Sequence, residues 1–301
     1  YAENPDYWSH LEATRGWEQA VAQLAADRLD LCQILGHDLL YVLPNPLPGQ
    51  SPQLAPSTPQ SPFDDPVEFV QQRNGSPQST APLDEDSLLI FRLLKEQMTQ
   101  RGLDLPILSA LCLHGIWTDV ALMKTMMLAP DVAQEHFELA TARATTFFEQ
   151  YHALGAELFS VGGDFAGNQL LISPALYRQY IVPQIRTLSE RLHQRGCFAF
   201  NASDGNLWPV IDDFLVECQV DGYLEIDLHA GMELRPLKER FGQSITLLGN
   251  MDCGNLLSFG SAQQIRRATH QCLEDGQGNG GHILTASNAI TASVPVENYL
   301  S

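Results

Sequence analysis

The sequence predicts an α/β protein: a (β/α)8 TIM barrel, one domain behind an N-terminal helical extension. Three observations lead there. From Leu83 onward, short apolar strands alternate with longer helical patterns, which implies a parallel sheet. The later strand–helix units repeat at about two dozen residues, a spacing that suits a barrel. Neither GxGxxG after a first strand nor GxxxxGK followed by Ser or Thr occurs, so the usual nucleotide signatures of the rival doubly wound sheet are missing. Periodicity alone leaves that rival open.

The elements follow in order. Tyr7 to Leu35 reads as helical through Leu11, Trp17, Val21, Leu24, Leu29 and Leu31, so residues 1–37 form the N-terminal helical segment and 38–301 the barrel. Asp38–Leu43 is a short apolar strand. Ten of the eighteen prolines then fall between Pro44 and Pro82, which rules out a continuous helix or a central strand there and marks 44–82 as a solvated insertion. Strands follow at Leu105–Leu111, Leu158–Val161, Phe198–Phe200, Gly222–Ile226, Ile245–Leu248 and His282–Leu284. Helices are expected near Ser87–Thr99, Asp131–Leu154, Pro174–Gln194, Leu207–Cys218, Met232–Phe241 and Ala262–Glu274. The Pro174 helix has the clearest pattern: Ser173 caps it, Pro174 takes its first position, Tyr177, Ile181, Ile185, Leu188 and Leu192 form one apolar stripe, and Pro183 kinks it. Seven strands can be counted, so the barrel supposes an eighth that the pattern misses. Val296-Glu297-Asn298 reads as the start of a closing helix that runs past Ser301.

Composition narrows the partners. The 301 residues carry 17 Lys and Arg against 36 Asp and Glu, a net charge of -19, and only three of the seventeen are Lys. Nucleic-acid binding rests on basic residues neutralising phosphates, so that partner is excluded, and so is docking on anionic lipid. No apolar run is long enough to span a bilayer, and Tyr1 to Trp8 lack a signal-peptide pattern, although a chain opening on Tyr is compatible with a leader already removed. Cys32, Cys112, Cys197, Cys218, Cys253 and Cys272 are scattered without a CxxC pair, which suggests reduced thiols in a cytoplasmic protein.

In a barrel the chemistry gathers where strands run into the following loops. Those points read Gly162-Gly163-Asp164-Phe165-Ala166-Gly167-Asn168, Asn201-Ala202-Ser203-Asp204-Gly205-Asn206, Glu225-Ile226-Asp227-Leu228-His229-Ala230-Gly231, Gly249-Asn250-Met251-Asp252-Cys253 and Thr285-Ala286-Ser287-Asn288. None holds Lys or Arg; together they hold Asp164, Asp204, Glu225, Asp227 and Asp252. Asp and Asn in such loops commonly cap the next helix, and Asn206 before Leu207-Trp208-Pro209 fits that role. Five carboxylates on one mouth would also raise each other's pKa values, the behaviour of an acid/base site. His114 follows a strand and reaches the mouth as a titrating group; His229 is the one potential cation among the five acidic loops; His282, at the far end of its strand, reads as structural.

The same loops resemble the uroporphyrinogen decarboxylase superfamily, which includes the corrinoid-dependent methyltransferases. GGDFAGNQLLISPALYRQYIVP, NASDGNLWPVIDDFL, VDGYLEIDLHAGMELRPLKERFG, ITLLGNMDCGNLLSFGSAQQIRR, GGHILTASNAI and VPVENYL occur in order with the family's spacing, from about Leu105 to the C-terminus. The resemblance implies a (β/α)8 barrel with its site at the strand C-termini, and relatives that often form homodimers. It also exposes departures. The decarboxylases carry an Arg-Gln-Ala-Gly-Arg-Tyr segment whose arginines meet substrate carboxylates, and this chain has none. The methyltransferase branch binds zinc through His-x-Cys and a later Cys. Here those positions hold Ala202 with Asp204, and Ser287 or Asn288, so the family zinc site is lost and Cys253 is at most a lone ligand.

The expected function is therefore a divergent enzyme of this superfamily. Asp164 and Asp204 are its acid/base or substrate-orienting residues. His114, Asn201, Ser203, Asn206, Glu225, Asp227, Asn250, Asp252 and Asn288 line the substrate pocket. Methyl transfer from a small methylated substrate, with a corrinoid held by a partner protein, is the first reading. Decarboxylation of uroporphyrinogen or another carboxylated aromatic is the second, and would need a basic lining from residues such as Arg178 or Arg235. A non-catalytic corrinoid or tetrapyrrole carrier is the third.

Overall fold

A computed structural model describes residues 5–51, 65–76, 80–111, 115–278 and 280–301. Seven strands, β1 (Leu40–Tyr41), β2 (Ile107–Ala110), β3 (Leu158–Ser160), β4 (Phe198–Ala202), β5 (Gly222–Leu224), β6 (Thr246–Leu248) and β7 (His282–Ile283), form one parallel sheet in strictly sequential order. Leu108 of β2, Phe200 of β4 and Leu248 of β6 pack in one buried cluster with Leu39, Leu158, Leu224 and Ile283 around them. In a flat sheet β2 and β6 would stand roughly 19 Å apart at about 4.8 Å per strand. Their contact requires the sheet to curl, and filling the concave side from alternate strands is how TIM-barrel interiors are layered. β1 and β7 do not pair, so the sheet is an open, curled half-barrel.

The other core lies between the sheet and the helices on its convex side, where Phe137, Phe148, Phe159, Tyr177, Tyr180, Phe214 and Tyr223 are fully buried. Phe148 of α6 (Pro130–Ala153) meets Phe159 of β3 edge to face at 5.1 Å. The expected Tyr7–Leu35 helix is instead two, α1 (Pro5–Arg15) and α2 (Trp17–Leu35), because Gly16 at φ 85 breaks the first from the second. Inside the proline-rich stretch, Asp65 caps α3 (Pro66–Asn74), which packs on α5 (Val120–Leu128) and α6. That part of the insertion is docked, not solvated, and α5 has no counterpart among the expected helices. The Ser87–Thr99 helix begins with a 3-10 turn at Glu85–Leu88 capped by Asp84, then runs as α4 (Leu89–Arg101).

Ser173 caps α7 (Pro174–Leu176) as expected, but the irregularity anticipated at Pro183 arrives earlier. A π-turn over Tyr177–Ile181 accommodates it, and Pro183 then sits in the first turn of α8 (Val182–Gln194). The Leu207–Cys218 and Met232–Phe241 segments are shorter and less regular than expected. The first divides into a 3-10 turn and a π-turn; the second becomes α9 (Leu234–Phe241) after a 3-10 turn at Leu228–Ala230. A full capping box at Ser261 and Gln264 opens α10 (Ala262–Gly276), and α11 (Val296–Tyr299) lies where the closing helix was expected.

Candidate active site

The strand-end loops meet at one end of the sheet, and their geometry begins with two glycines. A Cβ on Gly162 would fall 2.3 Å from Asn201 Oδ1 and 2.4 Å from the Ala202 carbonyl, so only glycine lets the β3 loop pass this close to β4. Gly205, at φ +93, would place a Cβ 2.6 Å from backbone atoms of Ala166 and Gly167. These approaches bring the two leading candidates together: the Asp204 backbone N–H donates to Asp164 Oδ1 at 3.0 Å. Asn288, arriving after β7, donates from Nδ2 to Asp204 Oδ2 at 2.8 Å. The Asp164 carbonyl in turn accepts from the Ile116 and Trp117 N–H groups, which holds half-exposed Trp117 at the rim, its ring edge near Gly167.

Burial raises the Asp204 pKa to about 6, helped by the charges of Asp164 and Asp227 and opposed by the Asn288 hydrogen bond. Burial likewise raises Glu225 to about 7, with Asp164 and Asp204 adding to it. Glu225 also holds a left-handed backbone, φ 65, which costs energy for any residue with a Cβ. Behind them Tyr223 is fully buried; burial first, then Asp204, Asp227 and Glu225, push its phenol well above the usual range. Burial, with the neighbouring charges of Asp164 and Asp227 on Asp204 and of Asp164 and Asp204 on Glu225, thus brings the Asp204 and Glu225 carboxyls toward neutrality.

A second unit stands beside these acids. Asp252 accepts from the Asn255 and Leu256 N–H groups and from His229 Nε2 at 2.8 Å. Burial of Asp252 opposes its charge, but these bonds outweigh that and hold its pKa below the ordinary value. With Asp252 ionised, His229 Nε2 is the donor of this bond. Asn255, absent from the expected site, lies 3.0 Å from the same nitrogen; its place three residues after a capping Asp was its only signal in the sequence. Asp227 joins the two units, since its side chain caps the turn that carries His229.

Four expected pocket residues serve the framework. Asn201 is fully buried and donates to the Phe214 carbonyl. Ser203 bonds the Asp204 carbonyl, Asn206 accepts from the Trp208 N–H two residues on while Leu207 takes the cap position expected of Asn206, and Asn250 donates to the Met232 carbonyl. His114 lies outside the described residues. Arg178 and Arg235, the possible basic lining, are committed elsewhere, to Asp213 and Asp275. His282 accepts no substrate role: its ring sits 2.8 Å from the Gly249 carbonyl.

The zinc donor set fails on its own residues. Ala202 has no donor, Asp204 is bonded to Asn288, and the Cys253 thiol faces Ser287 Oγ at 3.7 Å. Among the described residues no group of three or more His, Cys, Asp or Glu side chains is arranged to hold a metal ion. Cys32, Cys197, Cys218, Cys253 and Cys272 are buried and free of disulfides. Among the described residues no helix is long and apolar enough to cross a membrane.

Comparison with known proteins agrees with this geometry. Fourteen solved chains match in fold. One is a methyltransferase from Methanosarcina mazei, with a TM-score of 0.69 and 19 % identity, covering 93 % of this chain and 82 % of that one. No curated protein sequence matches. The sequence profile of the uroporphyrinogen decarboxylase (URO-D) family matches residues 115–300, which include every strand-end loop described above. With more than half its length in that match, and with the acids at the mouth carried by the matched loops, the chain belongs to the uroporphyrinogen decarboxylase family.

Proposed function

We propose that this chain is an enzyme that transfers a methyl group from a small neutral or cationic methylated substrate, acting with a corrinoid held by a partner protein. The observation that carries the reading is the buried carboxylate unit, with Asp204 near 6 and Glu225 near 7 and no Lys or Arg in the loops that bear it. A neutral donor that loses its methyl group as a methyl cation keeps the electron pair on its heteroatom and needs a proton there, whereas a cationic donor leaves neutral without one. A carboxyl group with a pKa near neutrality both holds such a proton and gives it up. Asp204 and Glu225 fill that role, Asp164 keeps Asp204 oriented, and Asn288 fixes the Asp204 carboxyl. The corrinoid, when bound by its partner, supplies the methyl-accepting chemistry. An acidic mouth opposes a polycarboxylate such as uroporphyrinogen, which needs Arg forks. Decarboxylation of a smaller carboxylated aromatic is therefore the second reading, and a non-catalytic carrier the third.

The same reading takes the fold as a single closed (β/α)8 barrel in a cytoplasmic protein that forms homodimers. An eighth strand would seat between the unpaired edges of β1 and β7, beside a cavity of about 630 Å³ lined by Ile34, Leu257, Leu284 and Leu300. The function is tested by assaying methyl transfer from methylated amines, thiols and ethers to a corrinoid protein. Asp204→Asn and Asp164→Asn should each lose roughly 100-fold or more in rate. Full activity in both variants would remove the role assignment, and tight cobalamin binding without turnover by the unaltered protein would favour the carrier.

A further inference from the structure

Away from the mouth, α3, α5 and α6 form a layer on the outer side of the barrel, and α3 and α6 each bring an arginine into it. Arg73 ends α3, and its Nη1 pairs with Asp119 Oδ2 at 2.7 Å. The other Asp119 oxygen caps α5 through the Leu122 N–H. Arg143, in the middle of α6, has no ion-pair partner among the described residues. The remaining polar side chains nearby are satisfied by one another: Asn74 donates to Glu135 and to the Val132 carbonyl, and His136 Nδ1 meets Asn74 Oδ1. Burial lowers the Arg143 pKa and the Arg73 charge lowers it further, so the two guanidiniums are close enough to repel.

Three of their nitrogens, Arg73 Nε, Arg73 Nη2 and Arg143 Nε, are buried without any hydrogen-bond partner. Buried polar groups are nearly always paired, and buried charges more so. The two Arg73 nitrogens lie on one edge of the guanidinium, the edge that grips an oxyanion through two parallel bonds. In a chain of net charge -19 this is an unusual place to find two cations with unused donors.

We propose that Arg73 and Arg143 form an oxyanion site, in which a phosphate or carboxylate group takes the Arg73 Nε and Nη2 edge and the Arg143 Nε–H. The anion replaces the repulsion between two like charges with attraction to both, and it satisfies all three orphaned donors. A neutral water placed there would satisfy donors but leave the repulsion unchanged. The site is separate from the acidic mouth, and the proposed methyl transfer does not depend on it.

Isothermal titration with inorganic phosphate, and separately with acetate, in a buffer free of other oxyanions tests this. Saturable binding near one anion per chain is expected, weakened roughly tenfold or more in Arg143→Gln and less in Arg143→Lys, which keeps the charge but loses the fork. Phosphate binding alone assigns a phosphate-bearing ligand; acetate competing as well assigns a carboxylate. In anion-free buffer Arg143→Gln should melt no lower than the unaltered protein, because it removes a repelled charge. Absence of saturable heat with both anions, undiminished binding in Arg143→Gln, or a melting temperature several degrees lower in that variant would each overturn the site.

Discussion

At the mouth, Asp164, Asp204, Glu225 and Asp227 crowd negative charge; in the outer helical layer, Arg73 and Arg143 crowd positive charge. The two regions face the same electrostatic problem with different means. Burial disfavours a carboxylate's charge and the neighbouring acids add to that; binding a proton relieves both, and the pKa values of about 6 and about 7 are the result. A guanidinium keeps its proton at any ordinary pH, so a crowded pair needs a counter-ion instead. The mouth is therefore a place where protons come and go, and the arginine pair a place where an anion stays.

Four substitutions probe that contrast, from the largest effect to the smallest. Gly205→Ala should destabilise the fold by about 3 kcal/mol or more, because its Cβ meets backbone at 2.6 Å from a left-handed conformation. Urea unfolding measures the loss, and the displaced loop should separate Asp204 from Asp164 and return the carboxyl pKa values toward ordinary. Glu225→Gln tests the price of crowding directly. The folded state binds the Glu225 proton more tightly than the unfolded state does. Stability is therefore highest below the ordinary carboxylate range and falls as pH rises from about 4.5 to about 7. Glu225→Gln should flatten that fall and gain about 2 kcal/mol at pH 8, with little change at pH 4. A parallel shift at both pH values would count against it.

Asp252→Asn should act with the opposite sign, because the folded pKa of Asp252 is depressed. Its contribution is present above the ordinary carboxylate pKa and lost as pH falls through the folded value. The variant should thus lose about 1 kcal/mol at pH 7 and less in acid, as chemical denaturation at the two pH values would record. Arg143→Met should be the smallest change, a gain of about 1 kcal/mol or less in anion-free buffer that phosphate reverses by stabilising only the unaltered protein. Equal stabilisation of both by phosphate would erase the distinction between the two regions.

How far the sequence carried depends on whether the signal was local. Alternating strands and helices, the Ser173 cap and the acid-rich loops were all visible, because each rests on neighbours within a few residues. Placing both loops at strand ends of one parallel sheet put Asp164 and Asp204 at one mouth, while the bond from the Asp204 N–H to Asp164 came only from the structure. The break at Gly16, the π-turn before Pro183 and the docking of α3 were not visible, since helical periodicity continues through the first two and the third depends on a partner helix. Asn201 and Asn250 looked like pocket residues because they are polar at strand ends. Asn201 instead turns to the Phe214 carbonyl and Asn250, beyond the end of β6, to the Met232 carbonyl, partners that are distant in sequence.

The sequence by itself determined the fold class, the family and the charge of the mouth. Those follow from periodicity, ordered segments and loop composition, which need no knowledge of distance. Only the tertiary structure decided which carboxyls are raised toward neutrality, that His229 leans on Asp252, and that Arg73 and Arg143, seventy positions apart in the chain, each keep donors unfilled in one helical layer. Burial and proximity set those properties. They depend on the packing of segments distant in sequence, and no local pattern encodes them.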